Sequence, residues 1–137
     1  MKKGIIMSLL LMFLLTGCFG IAKKEPEVHI EDFRINCQNR YDQDFDEYTM
    51  MYRVTNNSKY PVTQYQYYGT INSGQDESQL CYYGTLMPGE TSPIQETSDV
   101  TSINDIKVTQ INYVYKDEND NDVLVIYDAK LGKYSLP

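Results

Sequence analysis

Tryptophan is missing from this chain, histidine occurs once (His29), and alanine stands only at Ala22 and Ala129. A catalytic triad, a Cys-His pair or a zinc centre needs histidine with partners gathered around it. The one histidine lies where a polar stretch meets the first patterned segment, and it reads as an exposed strand residue. No glycine-rich phosphate loop of the Walker or dinucleotide type occurs. Basic side chains are also scarce, 12 against 19 acidic, for a formal net charge of −7. Nucleic-acid partners require clustered Lys and Arg that displace counterions, so this balance excludes them. Past residue 17 no apolar run approaches the roughly 20 residues needed to span a membrane. No window of 11 residues beyond that point shows helical periodicity. The sequence reads as a non-enzyme with no resident cofactor.

What is present begins at the N-terminus. Lys2 and Lys3 precede an apolar run over residues 5–15, the layout of a secretory signal. Leu15-Thr16-Gly17-Cys18 then resembles the lipobox of bacterial lipoproteins. That resemblance implies a diacylglycerol on the Cys18 thiol, cleavage just before it, and a chain tethered to the extracytoplasmic face of the cell membrane. The expected organisation is a removed signal (1–17), a lipidated cysteine with its tether (18–27) and one domain (28–137). The leader holds two lysines and no acid, so the mature chain keeps 10 basic and 19 acidic side chains, a net −9. An acidic domain is repelled by anionic lipid, so contact with the membrane is expected through the tether alone. Extended, the tether reaches about 30 Å.

Two cysteines remain, Cys37 and Cys81. In an oxidising compartment such a pair is a candidate disulfide, and a loop of about 45 residues would be stabilised by roughly 4 kcal/mol. Two buried thiols acting as small hydrophobes are the alternative.

Beyond the tether the pattern alternates with a period of two. Residues 28–35, 48–55, 62–71, 79–86, 106–115 and 123–127 read as strands, with a short stretch around Ile94. Turn chemistry separates them: Asn56-Asn57-Ser58, residues 72–76, Pro88-Gly89, and a hairpin loop over 117–122. The best helical candidate, 100–105, is one turn at most. About seven short strands argue for an all-β antiparallel sandwich. Thr55-Asn56-Asn57-Ser58, Pro61-Val62 and Leu86-Met87-Pro88-Gly89-Glu90-Thr91 resemble the immunoglobulin-like domains of bacterial lipoproteins, the FxLYD-type domain among them. The resemblance implies an immunoglobulin-like sandwich and says nothing of activity.

Two features suggest binding. Asp117, Asn119 and Asn121 place oxygens at alternate positions of an acidic loop, a weak candidate for calcium set against a solvated hairpin turn. A second acidic run spans residues 42–47. Tyrosine is the other excess, 13 residues against four phenylalanines. Alternation sends Tyr67 and Tyr68, and likewise Tyr82 and Tyr83, to opposite faces. Exposed tyrosines give large contact area at small entropic cost, so Tyr60, Tyr68 and Tyr83 are the candidate patch, against ordinary strand packing as the alternative. The expected function is a non-catalytic binding or accessory module for an envelope protein. A glycan or calcium ligand, or an immunity-type role occluding a receptor, is the alternative.

Overall fold

Burial alternates along the strand Glu47–Asn56 (β2) from Thr49 onward: Met50, Tyr52, Val54 and Asn56 are buried, while the residues between them stand on the other face. The computed structural model describes residues 24–137, and the same rule shapes most of its strands. The others are Phe33–Asp42 (β1), Val62–Ile71 (β3), Asp76–Leu86 (β4), Gln95–Thr97 (β5), Lys107–Lys116 (β6), Asp122–Asp128 (β7) and Lys133–Ser135 (β8). They form two antiparallel sheets, β1-β2-β5 and β4-β3-β6-β7-β8. The chain crosses between sheets three times, after β2, β4 and β5. The result is the antiparallel β-sandwich expected from the sequence, with eight strands rather than seven. Three short 3-10 turns (Ile30–Asp32, Asn72–Gly74, Ile103–Asp105) are the helical content of the described residues.

The core is built with tyrosine in place of tryptophan. Tyr52, Tyr60, Tyr65, Tyr113 and Tyr115 are buried beside Met50, Val54, Val62, Leu80, Ile111 and Val125. Phe33 of one sheet meets the rings of Tyr65 and Tyr113 in the other, at 4.7 and 4.9 Å between centroids. A buried phenol needs a partner for its hydroxyl, and for Tyr52, Tyr113 and Tyr115 the partners are distant backbone groups. The Tyr52 hydroxyl crosses the sandwich, donating to the Cys81 carbonyl (3.0 Å) and accepting from the Cys81 N–H (2.9 Å). Tyr113 donates to the Val28 carbonyl (2.5 Å), and Tyr115 and Tyr134 accept from the N–H groups of Glu27 and Ile30. The incoming segment is thereby strapped to β6 and β8. Pro26 and Val28 are buried, so packing starts at Pro26, inside the stretch assigned to the tether.

One polar residue joins the two sheets at their common end. Asn56 is completely buried where β2 ends. Its side-chain amide donates to the carbonyls of Tyr60 (2.8 Å) and Leu86 (2.9 Å), and its oxygen accepts from the Ser58 N–H and hydroxyl. Its backbone bonds Glu90 O and Gly89 N. The asparagine turn and the Pro-Gly-Glu turn are thus a single bonded unit.

Candidate functional site

The register of the five-stranded sheet decides which outward side chains become neighbours. On β3 the residues opposite in parity to buried Tyr65 are Gln64, Gln66 and Tyr68. Their partners on β4 are Tyr83, Cys81 and Gln79, and on β6 they are Val114, Asn112 and Gln110. The outer face is therefore a grid of amides and phenols, with Tyr68 and Tyr83 at opposite corners of its β3–β4 half. Tyr83 is 66% exposed and accepts a hydrogen bond from the Gln66 amide at 2.7 Å. Gln110 donates to Asn112 at 2.8 Å. A shallow depression of about 370 Å³ opens beside Tyr68, lined by Thr70, Glu77, Gln110 and Asn112.

No formal charge lies within this grid. Charges lie at its ends: Glu77 and Asp128 at one, and Lys116 paired with Asp122 (3.0 Å) at the other. Burial raises the Tyr68 hydroxyl above the ordinary phenol range, with Cys81 and Tyr83 adding to it and Gln66 opposing. Burial also raises the Cys81 thiol, against a hydrogen bond from Tyr83 that lowers it. Both groups stay protonated at neutral pH, so the face offers neutral donors and acceptors rather than a nucleophile. Val114, Leu124 and Ile126 continue the surface as an apolar margin on the β7 side.

Tyr68 and Tyr83 thus share one face, but Tyr60 does not join them. Tyr60 is 5% exposed and packs on Tyr115, 5.5 Å between ring centroids. Its hydroxyl donates to the carboxylates of Glu27 and Glu118. The Glu27 hydrogen bond holds its ionisation far above the ordinary phenol value. The candidate patch includes Tyr60 as an exposed tyrosine, yet the turn that carries it folds inward around Asn56.

Cys37 and Cys81 are free thiols in the structure, not the bridge considered from the sequence. Cys37 is the cross-strand partner of buried Tyr52 and shares its face, whereas Cys81 turns to the outer face of the other sheet. Their strands lie in different layers, and alternation points the two thiols away from a common space. Burial raises the Cys37 thiol as well.

The loop over 117–122 is the expected hairpin turn between β6 and β7. Asp117 spends its carboxylate inside the turn, accepting from the N–H groups of Asn119 (2.8 Å) and Asn121 (2.9 Å) and from the Asn121 amide. The Asn121 N–H holds the Asp117 carboxyl below its usual value. Among the described residues no group of three or more His, Cys, Asp and Glu is arranged to hold a metal ion. His29 opens the Ile30–Asp32 turn, its ring 5.4 Å from that of Tyr134 and bonded to the Pro26 carbonyl at 2.8 Å. Cys18 lies outside the described residues.

The amides Gln66, Gln79, Gln110 and Asn112 escaped the sequence reading. Gln66 was accessible to it, since it shares the parity of Tyr68 on one strand. The others become neighbours only through pairing with β4 and β6. No family model, curated protein or solved structure matches this chain.

Proposed function

We propose that this protein is a membrane-anchored extracytoplasmic lipoprotein whose domain is a non-catalytic binding or accessory module. It presents the outer face of the five-stranded sheet to an envelope protein. The observation that carries this reading is the pairing of β4, β3 and β6. It assembles Tyr68, Gln66, Cys81, Tyr83 and Asn112 into one uncharged, outward surface. Tyrosines of this kind anchor interfaces because they cover apolar area while their hydroxyls stay wet. A neutral glycan is the second reading, favoured by the five amides on the same face (Gln64, Gln66, Gln79, Gln110 and Asn112), which suit sugar hydroxyls better than charged groups.

Affinity capture from solubilised envelopes tests the proposal. A reproducible protein partner is expected with the wild-type chain, and its loss is expected with Tyr68→Ala and with Tyr83→Ala. Both side chains project from the outer face, so neither truncation should reduce stability by more than about 1 kcal/mol. Capture that ignores both substitutions would remove the face from consideration.

Anchoring rests on the lipobox-like Leu15-Thr16-Gly17-Cys18. Each buried methylene contributes about 0.8 kcal/mol, so one acyl chain holds weakly and two or three hold firmly. Cys18→Ala is expected to abolish labelling by a fatty-acid probe and to release the domain from the membrane fraction. Continued labelling of that variant would refute lipidation at Cys18.

A further inference from the structure

A second surface lies on the other layer of the sandwich. Four strands edge the two sheets, and edges with unpaired N–H and C=O groups are normally shortened, bent or covered. β5 and β8 are three residues each. β4 is long, but its backbone at Cys81 is taken up by the Tyr52 hydroxyl. β1 has none of these protections among the described residues. It runs ten residues in unbroken register with β2, without a bulge or a proline, and Asn36 to Tyr41 are all exposed.

The charges on this hairpin are segregated. All three arginines of the chain, Arg34, Arg40 and Arg53, fall on its outer face. Arg40 is already paired with Glu96 at 3.3 Å. Arg34 and Arg53 have no carboxylate within ion-pair distance among the described residues, and both lie toward the base. The tip carries Asp42, Asp44, Asp46 and Glu47, together with the exposed rings of Tyr41, Phe45 and Tyr48. The hairpin is basic toward its base and acidic at its tip, and Arg40 between them is offset by Glu96. An edge of that form is complementary to itself when turned through 180°.

We propose that β1 pairs antiparallel with β1 of a second copy of this chain, about a two-fold axis at Gln38. Residues directly opposite in an antiparallel pair share a face. Centred on Gln38, the pairing sets Arg34 opposite Asp42 of the second copy, twice by symmetry, with all four side chains on the outer face. It also sets Ile35 opposite Tyr41 on the inner face, covering a ring that is 45% exposed. An open groove of about 380 Å³ between β1 and residues 101–103, lined by Ile35, Cys37 and Ile103, lies on that inner side. Shifting the axis to Cys37 puts Arg34 against Arg40, a repulsion repeated by symmetry. Shifting it to Asn39 carries Arg34 past the end of the partner strand. Charge selects the Gln38 register.

Sedimentation velocity of the full-length chain, with detergent micelles in excess over protein, reads the association directly. The wild-type chain is expected to be dimeric. Arg34→Glu and Asp42→Arg are each expected to weaken self-association by about tenfold or more, since every pair becomes repulsive. The double variant, with the charges exchanged, is expected to return to the wild-type dimer. Both positions are exposed or half-buried strand ends, and an unchanged melting temperature shows that the variants fold. A wild-type chain that stays monomeric overturns the proposal. So does a dimer indifferent to both single reversals, the behaviour of two chains sharing a micelle. Tyr68→Ala and Tyr83→Ala lie on the other layer and leave the dimer intact, so this surface and the tyrosine face are tested separately.

Discussion

Replacing Asn56 with alanine is expected to lower the unfolding free energy by about 4 kcal/mol. The substitution removes two buried donors, to the carbonyls of Tyr60 and Leu86, and the acceptor that serves the Ser58 N–H and hydroxyl. Tyr60 O keeps a bond from the Ser58 hydroxyl, but Leu86 O and Ser58 N lose their side-chain partner. Each group left unsatisfied in the interior costs roughly 1–3 kcal/mol, which sets the size of the expected loss. Because Leu86 ends β4 and Asn56 ends β2, the damage falls on the joint between the sheets. Urea denaturation is the measurement: a lower midpoint with an unchanged slope is the expected form.

Asn56→Asp separates hydrogen bonding from volume. The carboxylate keeps the acceptor for Ser58 but faces the Tyr60 and Leu86 carbonyls with negative charge. Its folded-state pKa would be raised above the unfolded value, so the folded state binds more protons. Stability should therefore recover as pH falls toward the ordinary carboxylate range, opposite to a salt-bridged acid. A loss below about 1 kcal/mol in Asn56→Ala, or a pH response of the other sign in Asn56→Asp, would show that this joint is not held by the amide.

Gly69→Ala is the second large effect, about 3 kcal/mol of destabilisation from overpacking. Gly69 is buried at an irregularity in the β3–β6 pairing, between Tyr68↔Gln110 and Gly69↔Val108. A Cβ there would lie 2.3 Å from Ile106 Cγ2 and 2.7 Å from the Lys107 carbonyl oxygen. The side chain could turn aside, but the backbone oxygen moves only if β6 is pushed off β3. In the unfolded chain the same change favours folding by about 0.4–1 kcal/mol, so the measured loss is net of that gain. Ile106 is itself buried, so Ile106→Ala is destabilising alone. In a double-mutant cycle, however, the double variant should lose less than the sum of the two single losses, because the side-chain part of the clash is relieved. Thermal unfolding of the single and double variants checks this, and a Gly69→Ala protein as stable as wild type would refute the close approach.

Much of this fold was legible in local pattern. Alternation located Glu47–Asn56, Val62–Ile71, Lys107–Lys116 and Asp122–Asp128 to within one or two residues, and Asp117 to Asp122 closes a hairpin as its composition indicates. The first strand lies later than its alternation predicts. Residues 28–35 alternate, yet Ile30–Asp32 form a 3-10 turn and the strand runs from Phe33 to Asp42. Its second half is exposed on both faces, so it carries no apolar alternation to read. β8, three residues long, had no periodic signal at all. Tyr60 departs from the expected patch for a different reason. Its neighbours are turn residues, and burial there comes from Asn56 drawing the turn inward, a long-range effect.

The same division runs through the binding face. Parity within a strand determined from sequence alone that Tyr68 and Tyr83 lie opposite in face to Tyr67 and Tyr82, because an extended backbone alternates whatever it packs against. Composition likewise determined the all-β class and the turns. Tertiary structure decided which strands are neighbours, and so that Tyr68, Gln66, Cys81 and Tyr83 meet, that Cys37 and Cys81 turn apart, and that β1 is left as an open edge. Alternation is a property of a few consecutive residues. Adjacency across a sheet joins residues tens of positions apart, and only the packing of the two layers selects it.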